Sequence, residues 1–266
     1  MSDTKPSAIV VTFPPSIGNE LGLWCLDHYG ITYRTYPYSV LFLGVALWWR
    51  TRQAGLPTFK NGNATLVGPR PIVDYFESIC APNLRLLPTD DALRQQVLAV
   101  WPDYFETLGN AVATWSYYHL LPDKSAMMRP LTRGVPTVER WLMSLLYPVV
   151  RMFLSKSLGL SEQAAATSMT TIRTQFQAAA DRLADGRPYL FGQSLTLADL
   201  CFAANAAPIV IPAQSYGGPP PPGTLPTFDE LPASMKPFVT EMRQHPAGEF
   251  ALRIYQQHRA DTAPVG

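Results

Sequence analysis

The chain has 266 residues, 47 % of them hydrophobic and 15 % charged, enough to bury a sizeable core in one large domain or two modest ones. With 21 Lys+Arg against 20 Asp+Glu the net charge is +1, which excludes a strongly basic nucleic-acid binder and a polyacidic tail. A small acidic ligand, which needs only one local positive site, remains open.

The three cysteines (Cys25, Cys80, Cys201) are sparse and odd in number, as in a reducing compartment, and no CxxC pair occurs. The four histidines (His28, His119, His245, His258) show no metal-ligand spacing, so no metal site is expected. Met1-Ser-Asp-Thr-Lys5 lacks the basic-then-apolar run of a secretory leader, and a cytoplasmic location is expected.

In chain order, Ile9-Val-Val-Thr-Phe13 reads as a buried β-branched strand, ended by Pro14-Pro15. Ser16 opens a helical pattern to about Tyr29, with Gly30 at the left-handed position that stops a helix. Ile31-Thr-Tyr-Arg-Thr35 alternates as a second strand. The most apolar stretch, Tyr38 to Trp49, is shorter than the ~20 residues of a membrane span. It reads as a buried or interfacial helix, and no membrane partner is expected. Thr58-Phe-Lys60 and Ala64-Thr-Leu-Val67 flank Asn61-Gly62, the strongest short hairpin signal, since both turn residues must accept φ > 0. Ile72, Tyr75, Phe76 and Ile79 then mark one face of a helix.

Beyond Asp90 no convincing strand appears. Ser161 can cap a helix whose stripe Ala165, Met169, Ile172, Phe176, Ala179, Leu183 is a packing seam. Thr196-Leu-Ala-Asp199 reads as a capping box, with Leu195 and Leu200 as a hydrophobic staple. Gly217 to Gly223 is a Pro-rich loop, and Arg243-Gln-His-Pro-Ala-Gly248 separates two final helices. Pro82 and Pro88 mark a break, giving an α/β domain over 8–80 and an all-α domain over 90–259.

The βαβ–ββα order is that of a thioredoxin-like fold. The start of its first helix presents backbone N–H groups and a partial positive charge to an anion, and a thiolate suits that geometry. A redox version needs Cys there, but the residue is Ser16, whose hydroxyl can donate to a sulfur anion supplied by a ligand. Plain N-capping is the alternative for Ser16. Before the hairpin, Gly55-Leu-Pro57-Thr-Phe carries an X-Pro bond that is typically cis in this fold. In that form the Leu56 N–H and C=O face the ligand and can pair with a peptide like an added strand; an ordinary trans proline entering a strand is the alternative.

These stretches together resemble the cytosolic glutathione S-transferase family. Pro14-Pro-Ser-Ile-Gly-Asn-Glu-Leu-Gly-Leu-Trp-Cys-Leu-Asp-His-Tyr-Gly-Ile-Thr-Tyr33 resembles the first β–α–β segment of its serine-type members, with Ser16 at the catalytic position. Gly55-Leu-Pro-Thr-Phe59 resembles the cis-proline loop, Arg70-Pro-Ile-Val-Asp-Tyr-Phe76 the third helix, and Tyr189-Leu-Phe-Gly-Gln-Ser-Leu-Thr-Leu-Ala-Asp199 the capped helix of the C-terminal domain. The resemblance implies glutathione as co-substrate, a small hydrophobic electrophile or peroxide as second substrate, and a homodimer. Leu56, Pro57, Gly68, Pro69 and Arg70 fall at glutathione-binding positions. Trp101, Tyr104, Trp115, Tyr117 and Tyr118 lie on the implied long fourth helix, where Tyr104, Trp115 and Tyr118 are candidates to wall the second-substrate pocket; helix packing is the alternative.

One departure stands out. The family places an acidic residue or Gln followed by Ser before the third helix, where they hold the γ-glutamyl end of glutathione. Here Gly68 and Pro69 stand instead, without a side-chain donor or, at Pro69, an N–H. Arg70 can compensate as a carboxylate clamp, and a solvated Arg at the helix start is the alternative. The competing expectation is a transferase-like binding or scaffold protein without enzymatic activity.

Overall fold

The computed structural model describes residues 8–213, 216–217 and 223–259. Four strands form one sheet in the order β2-β1-β3-β4: β1 (Ala8–Thr12), β2 (Arg34–Pro37), β3 (Thr58–Asn61) and β4 (Ala64–Val67). β1 runs parallel to β2 and antiparallel to β3, and β3 and β4 form a hairpin. The parallel pair needs a crossover, which α1 (Ile17–His28) supplies.

The second strand starts three residues later than its alternation suggests. The Gly30 N–H bonds to Asp27 O and the Ile31 N–H to Leu26 O, both at 3.0 Å, with Gly30 at φ 68°. This is a Schellman ending, and it uses Ile31 to close α1. The hairpin register also differs from expectation. Asn61 pairs with Ala64, so the turn is Gly62-Asn63, and Gly62 alone takes a positive φ (56°). The ambiguous segment after β2 contains α2 (Leu43–Thr51), and α3 (Pro69–Glu77) follows β4. In α3 the buried residues are Pro69, Ile72, Val73, Phe76 and Glu77, whereas Tyr75 and Ile79 face outward instead of completing a buried stripe.

From residue 91 the chain is helical. α4 (Asp91–Ala99) starts at Asp90, whose carboxylate accepts the Leu93 N–H at 2.8 Å. It runs through a π-helical turn (Pro102–Leu108) into α5 (Gly109–Leu120). Pro102 has no N–H and its ring crowds the carbonyl four residues back, so the rod relaxes there rather than breaking. α6 (Lys124–Thr132), α7 (Thr137–Leu145) and α8 (Tyr147–Ser157) are short. α9 (Glu162–Leu183) begins at Ser161, whose hydroxyl accepts the Ala164 N–H at 3.1 Å. α10 (Leu197–Val210) is buried on nearly every side, as an apolar helix at the centre of a bundle must be. α11 (Lys236–Gln244) and α12 (Pro246–His258) close the chain. Among the described residues no strand follows β4, and most of the Pro-rich loop between Gly217 and Gly223 lies outside them.

The start of α10 is held by Asp199, which accepts from the Thr196 N–H (2.7 Å), the Thr196 hydroxyl (2.7 Å) and the Leu190 N–H (2.8 Å). Burial pushes the Asp199 carboxyl up to about 6 despite these donors.

The sheet domain is locked to the helical one through α1. Trp24 packs on Tyr255 with ring centroids 4.5 Å apart, and its Nε1 donates to His258 O at 2.9 Å. Beside them Arg259 pairs with Glu20 (3.0 Å) and Asp27 (2.6 Å), with the Arg259 and Glu20 side chains fully buried. Glu20 also accepts the Tyr255 hydroxyl at 3.0 Å and the Gly217 N–H at 2.5 Å. A buried charge cluster costs desolvation on both partners, so its worth lies less in net stability than in fixing where α12 sits against α1.

Candidate active site at the start of the first helix

Ser16 is the N-cap residue of α1 at φ −73° and ψ 124°, yet its side chain makes no cap hydrogen bond. Its carbonyl accepts the N–H groups of Asn19 (3.0 Å) and Glu20 (3.2 Å). That leaves the Ile17 and Gly18 N–H groups directed out of the helix end beside a hydroxyl not engaged in capping. Such a corner attracts an anion.

Two glycines let other parts of the site approach it. A Cβ on Gly18 would stand 3.3 Å from Leu56 O, 3.6 Å from Ser16 Oγ and 3.6 Å from Phe105 Cζ. Ser16, the loop carbonyl and an aromatic ring of the helical domain therefore converge on Gly18. One turn later, a Cβ on Gly22 would lie 2.4 Å from Pro57 Cγ, so only glycine admits the proline ring against α1. The Leu56–Pro57 bond is cis, and Thr58 Oγ1 donates to Gly55 O at 2.7 Å within the same loop.

The start of α3 adjoins this loop, because the Gly68 N–H donates to Pro57 O at 2.8 Å. Gly68 is the N-cap at φ 88°, Pro69 occupies the first helical position and Pro71 the third. Neither proline has an N–H, so Arg70 carries the only backbone donor among the first three residues of α3. The Arg70 Nε bonds Asp74 at 2.9 Å, and the side chain is 33 % exposed. Its guanidinium also lies 6.0 Å from the Trp101 ring centre.

Trp101 in turn stacks on Phe105 at 4.7 Å, both at the π-helical turn. A line of groups thus runs from Arg70 through Trp101 and Phe105 to Gly18 and Ser16. Phe105 was not among the sequence candidates. The signal for it was the pair Trp101/Phe105, one turn apart and straddling Pro102.

Two of the other aromatic candidates are core residues. Tyr104 is 2 % exposed and edge-on to Phe202 at 5.2 Å, and Trp115 is 1 % exposed against Phe238 at 5.0 Å. Both are core residues of the bundle, not walls of an open pocket, because they occupy the α4–α5 face turned toward α10 and α11. Tyr117 and Tyr118 are half-buried, and Tyr118 lies edge-on to His119 at 5.1 Å. Tyr104 and Trp115 thus pack in the core and line no open pocket. Cys25 is fully buried in α1, and burial pushes its thiol far above the usual range, so it is no thiolate nucleophile. Among the described residues no group of three or more His, Cys, Asp or Glu could hold a metal ion.

The family model for the glutathione S-transferase C-terminal domain matches residues 142–212. Solved structures match almost the whole chain. A possible glutathione S-transferase from Rhodopseudomonas palustris superposes with a TM-score of 0.58 at 12 % identity, covering 97 % of this chain and 98 % of that one. This chain carries the glutathione S-transferase fold, and its residues 142–212 match that family's C-terminal domain. A glutathione S-transferase from Pseudomonas fluorescens gives 0.57 at 14 % identity, with 98 % and 100 % coverage. A theta-class glutathione S-transferase from Xanthomonas axonopodis pv. citri, solved with glutathione bound, gives 0.53 at 17 % identity, with 97 % and 100 % coverage. No curated protein matches the sequence significantly. At these identities the shared property is the fold: a thioredoxin-like sheet domain followed by the transferase helical domain.

Proposed function

We propose that this glutathione S-transferase relative binds glutathione at the corner formed by Ser16, Leu56 and the start of α3, and activates its thiol as a nucleophile. The observation that carries this reading is the Ser16 hydroxyl, unused as a cap at the N-terminus of a buried helix. The hydroxyl and the outward N–H groups of Ile17 and Gly18 stabilise GS⁻ over GSH, and each pKa unit of lowering corresponds to about 1.4 kcal/mol. The Leu56 N–H and C=O pair with the tripeptide backbone as an added strand does. The bound thiolate then attacks an electrophilic carbon or a peroxide held against Phe105 and Trp101, with catalysis supplied by thiolate stabilisation and positioning. Activity in the cytoplasm and a homodimeric assembly belong to the same reading.

Calorimetric titration with glutathione tests binding, and turnover of a chlorodinitrobenzene-type substrate tests activity. In Ser16→Ala, kcat should fall and the apparent pKa of bound glutathione should rise, with unchanged stability because no cap bond is lost. Unchanged turnover would remove Ser16 from the mechanism. A second reading, a binding protein without turnover, is favoured by the start of α3, where Pro69 and Pro71 remove two of three backbone donors. Absence of glutathione binding at millimolar concentration would select it.

A further inference from the structure

Three helices outside the site, α2, α7 and α8, each bury one face and expose another that is also apolar. On α2, Ala46 and Leu47 point inward, while Val45, Trp48 and Trp49 are 62–69 % exposed. On α7, Met143 is buried and Val138, Trp141 and Leu145 are 61–70 % exposed. On α8, Val150 and Leu154 are buried and Val149, Met152 and Phe153 are 55–67 % exposed. Each outer stripe follows helical spacing, so each is a face and not scattered exposure.

The segments that carry these faces are linked. Ser39, just ahead of α2, donates through its N–H (3.0 Å) and hydroxyl (2.9 Å) to Glu139 of α7. A Cβ on Gly134, before α7, would meet Pro37 Cγ at 3.0 Å. One residue, Leu146, separates α7 from α8.

The charge carried by these helices is mostly positive. No Asp or Glu occurs from Gly30 to Val73, a span that holds Arg34, Arg50, Arg52, Lys60 and Arg70. Within α7 and α8 the sole carboxylate is Glu139, buried under Ser39, against exposed Arg140, Arg151 and Lys156. The exposed acids flanking α7 and α8 in sequence are Asp123, ahead of α6 and close enough for its charge to act on Tyr147 at the start of α8, and Glu162 at the start of α9.

Beside the α2 stripe opens a cavity of about 310 Å³ lined by Ile9, Trp49, Arg50, Lys60 and Gly62. Its two cations are fixed: Lys60 Nζ donates to Arg50 O at 3.2 Å, and the Arg50 guanidinium lies 4.0 Å from the Tyr36 ring centre. Trp49 belongs to both the cavity and the apolar stripe.

We propose that α2, α7 and α8 dock this protein on an anionic lipid bilayer, with a lipid headgroup phosphate in the Arg50–Lys60 cavity. Tryptophan-rich stripes bordered by Arg and Lys are the composition of helices that lie in the headgroup boundary. Nothing here crosses the bilayer: among the described residues no helix is long and apolar enough. Charge argues against a second copy as the occupant. A two-fold contact sets the same patch against itself, and here cations would face cations with no exposed carboxylate on these helices to answer them.

The test is flotation of the full chain with vesicles of phosphatidylcholine alone or with one-third phosphatidylserine, read also by tryptophan emission. Binding and a blue shift are expected with the anionic vesicles only. Arg52→Gln/Arg140→Gln/Arg151→Gln should weaken partitioning roughly hundredfold. Trp48→Ser/Trp141→Ser/Phe153→Ser should abolish it at an unchanged melting temperature, since all three side chains are exposed. Absence of flotation, or flotation indifferent to both variants, overturns the proposal. So does a dimer in sedimentation equilibrium that the aromatic variant dissociates while vesicles are ignored, which would assign the face to a second copy. Calorimetric binding of inorganic phosphate or glycerol 3-phosphate as tight as to vesicles would assign the cavity to a soluble anion.

Discussion

Replacing Pro69 by Ser should tighten glutathione binding. In the present chain the start of α3 offers a carboxylate one backbone N–H, that of Arg70, because Pro69 and Pro71 have none. The Arg70 side chain is not wholly free to substitute, since its Nε is held 2.9 Å from Asp74. Serine at 69 restores an N–H at the first helical position and adds a hydroxyl. The position adjoins the cis-proline loop, because Gly68 is bonded to Pro57 O at 2.8 Å. A hydrogen bond to a charged acceptor contributes about 1.5–3 kcal/mol, roughly ten- to a hundredfold in Kd for one such bond. The exchange also frees the unfolded chain, at a stability cost of about 0.4–1 kcal/mol. Calorimetry with glutathione should therefore show a Kd at least tenfold lower in a slightly less stable protein. An equal or weaker Kd, with Arg70→Ala then abolishing binding, would show that Arg70 already holds the carboxylate and that the missing donors do not matter.

Gly22→Ala should displace the cis-proline loop, since the new methyl would stand 2.4 Å from Pro57 Cγ. Overpacking of about 1–3 kcal/mol and a raised Kd for glutathione are expected, with Gly44→Ala, which meets nothing within 4 Å, as the silent control. Asp199 holds its proton up to about pH 6 in the folded protein but releases it near 4 when unfolded. Its contribution to stability is thus greatest below about pH 4, declines as pH rises to about 6, and is level beyond; Asp199→Asn should flatten that segment of a stability-against-pH curve. Arg259→Met strands Glu20 as an unpaired buried charge, so a loss of about 3–5 kcal/mol and a Tm lower by roughly 6–20 °C are expected. Adding Glu20→Gln should recover part of it, and a strictly additive double variant would contradict the coupling.

What the sequence conveyed well were features set within a few neighbouring residues. The Thr196–Asp199 cap, the Ser161 cap, the stop at Gly30 and the seam of α9 are local, because each depends on side chains within a turn or on helical period. The errors of register have local causes too, but ones that compete. Ile31 is as β-prone as its successors, yet the helix ending claims its N–H first. Asn61-Gly62 is a good turn, yet Gly62-Asn63 satisfies the hairpin with one positive φ, and the pairing of Asn61 with Ala64 decides for it.

The site itself was half legible for a different reason. Ser16, Leu56 and Pro57 sit where chain geometry alone puts them, at a helix start and a pre-strand loop. Where the rings of α4 and α5 point depends on the phase of a rod of thirty residues (91–120), and the π-helical turn at Pro102 alters that phase part-way along it. Around the π-helical turn Trp101 and Phe105 stand toward Arg70 and Gly18, and Tyr104 faces Phe202. The Glu20–Arg259 pair was out of reach altogether, with its partners 239 residues apart and each, read singly, an ordinary surface charge. That pair bears on the site, because Glu20 lies one turn from Ser16 and the last helix therefore helps set the angle at which α1 presents its N-terminus.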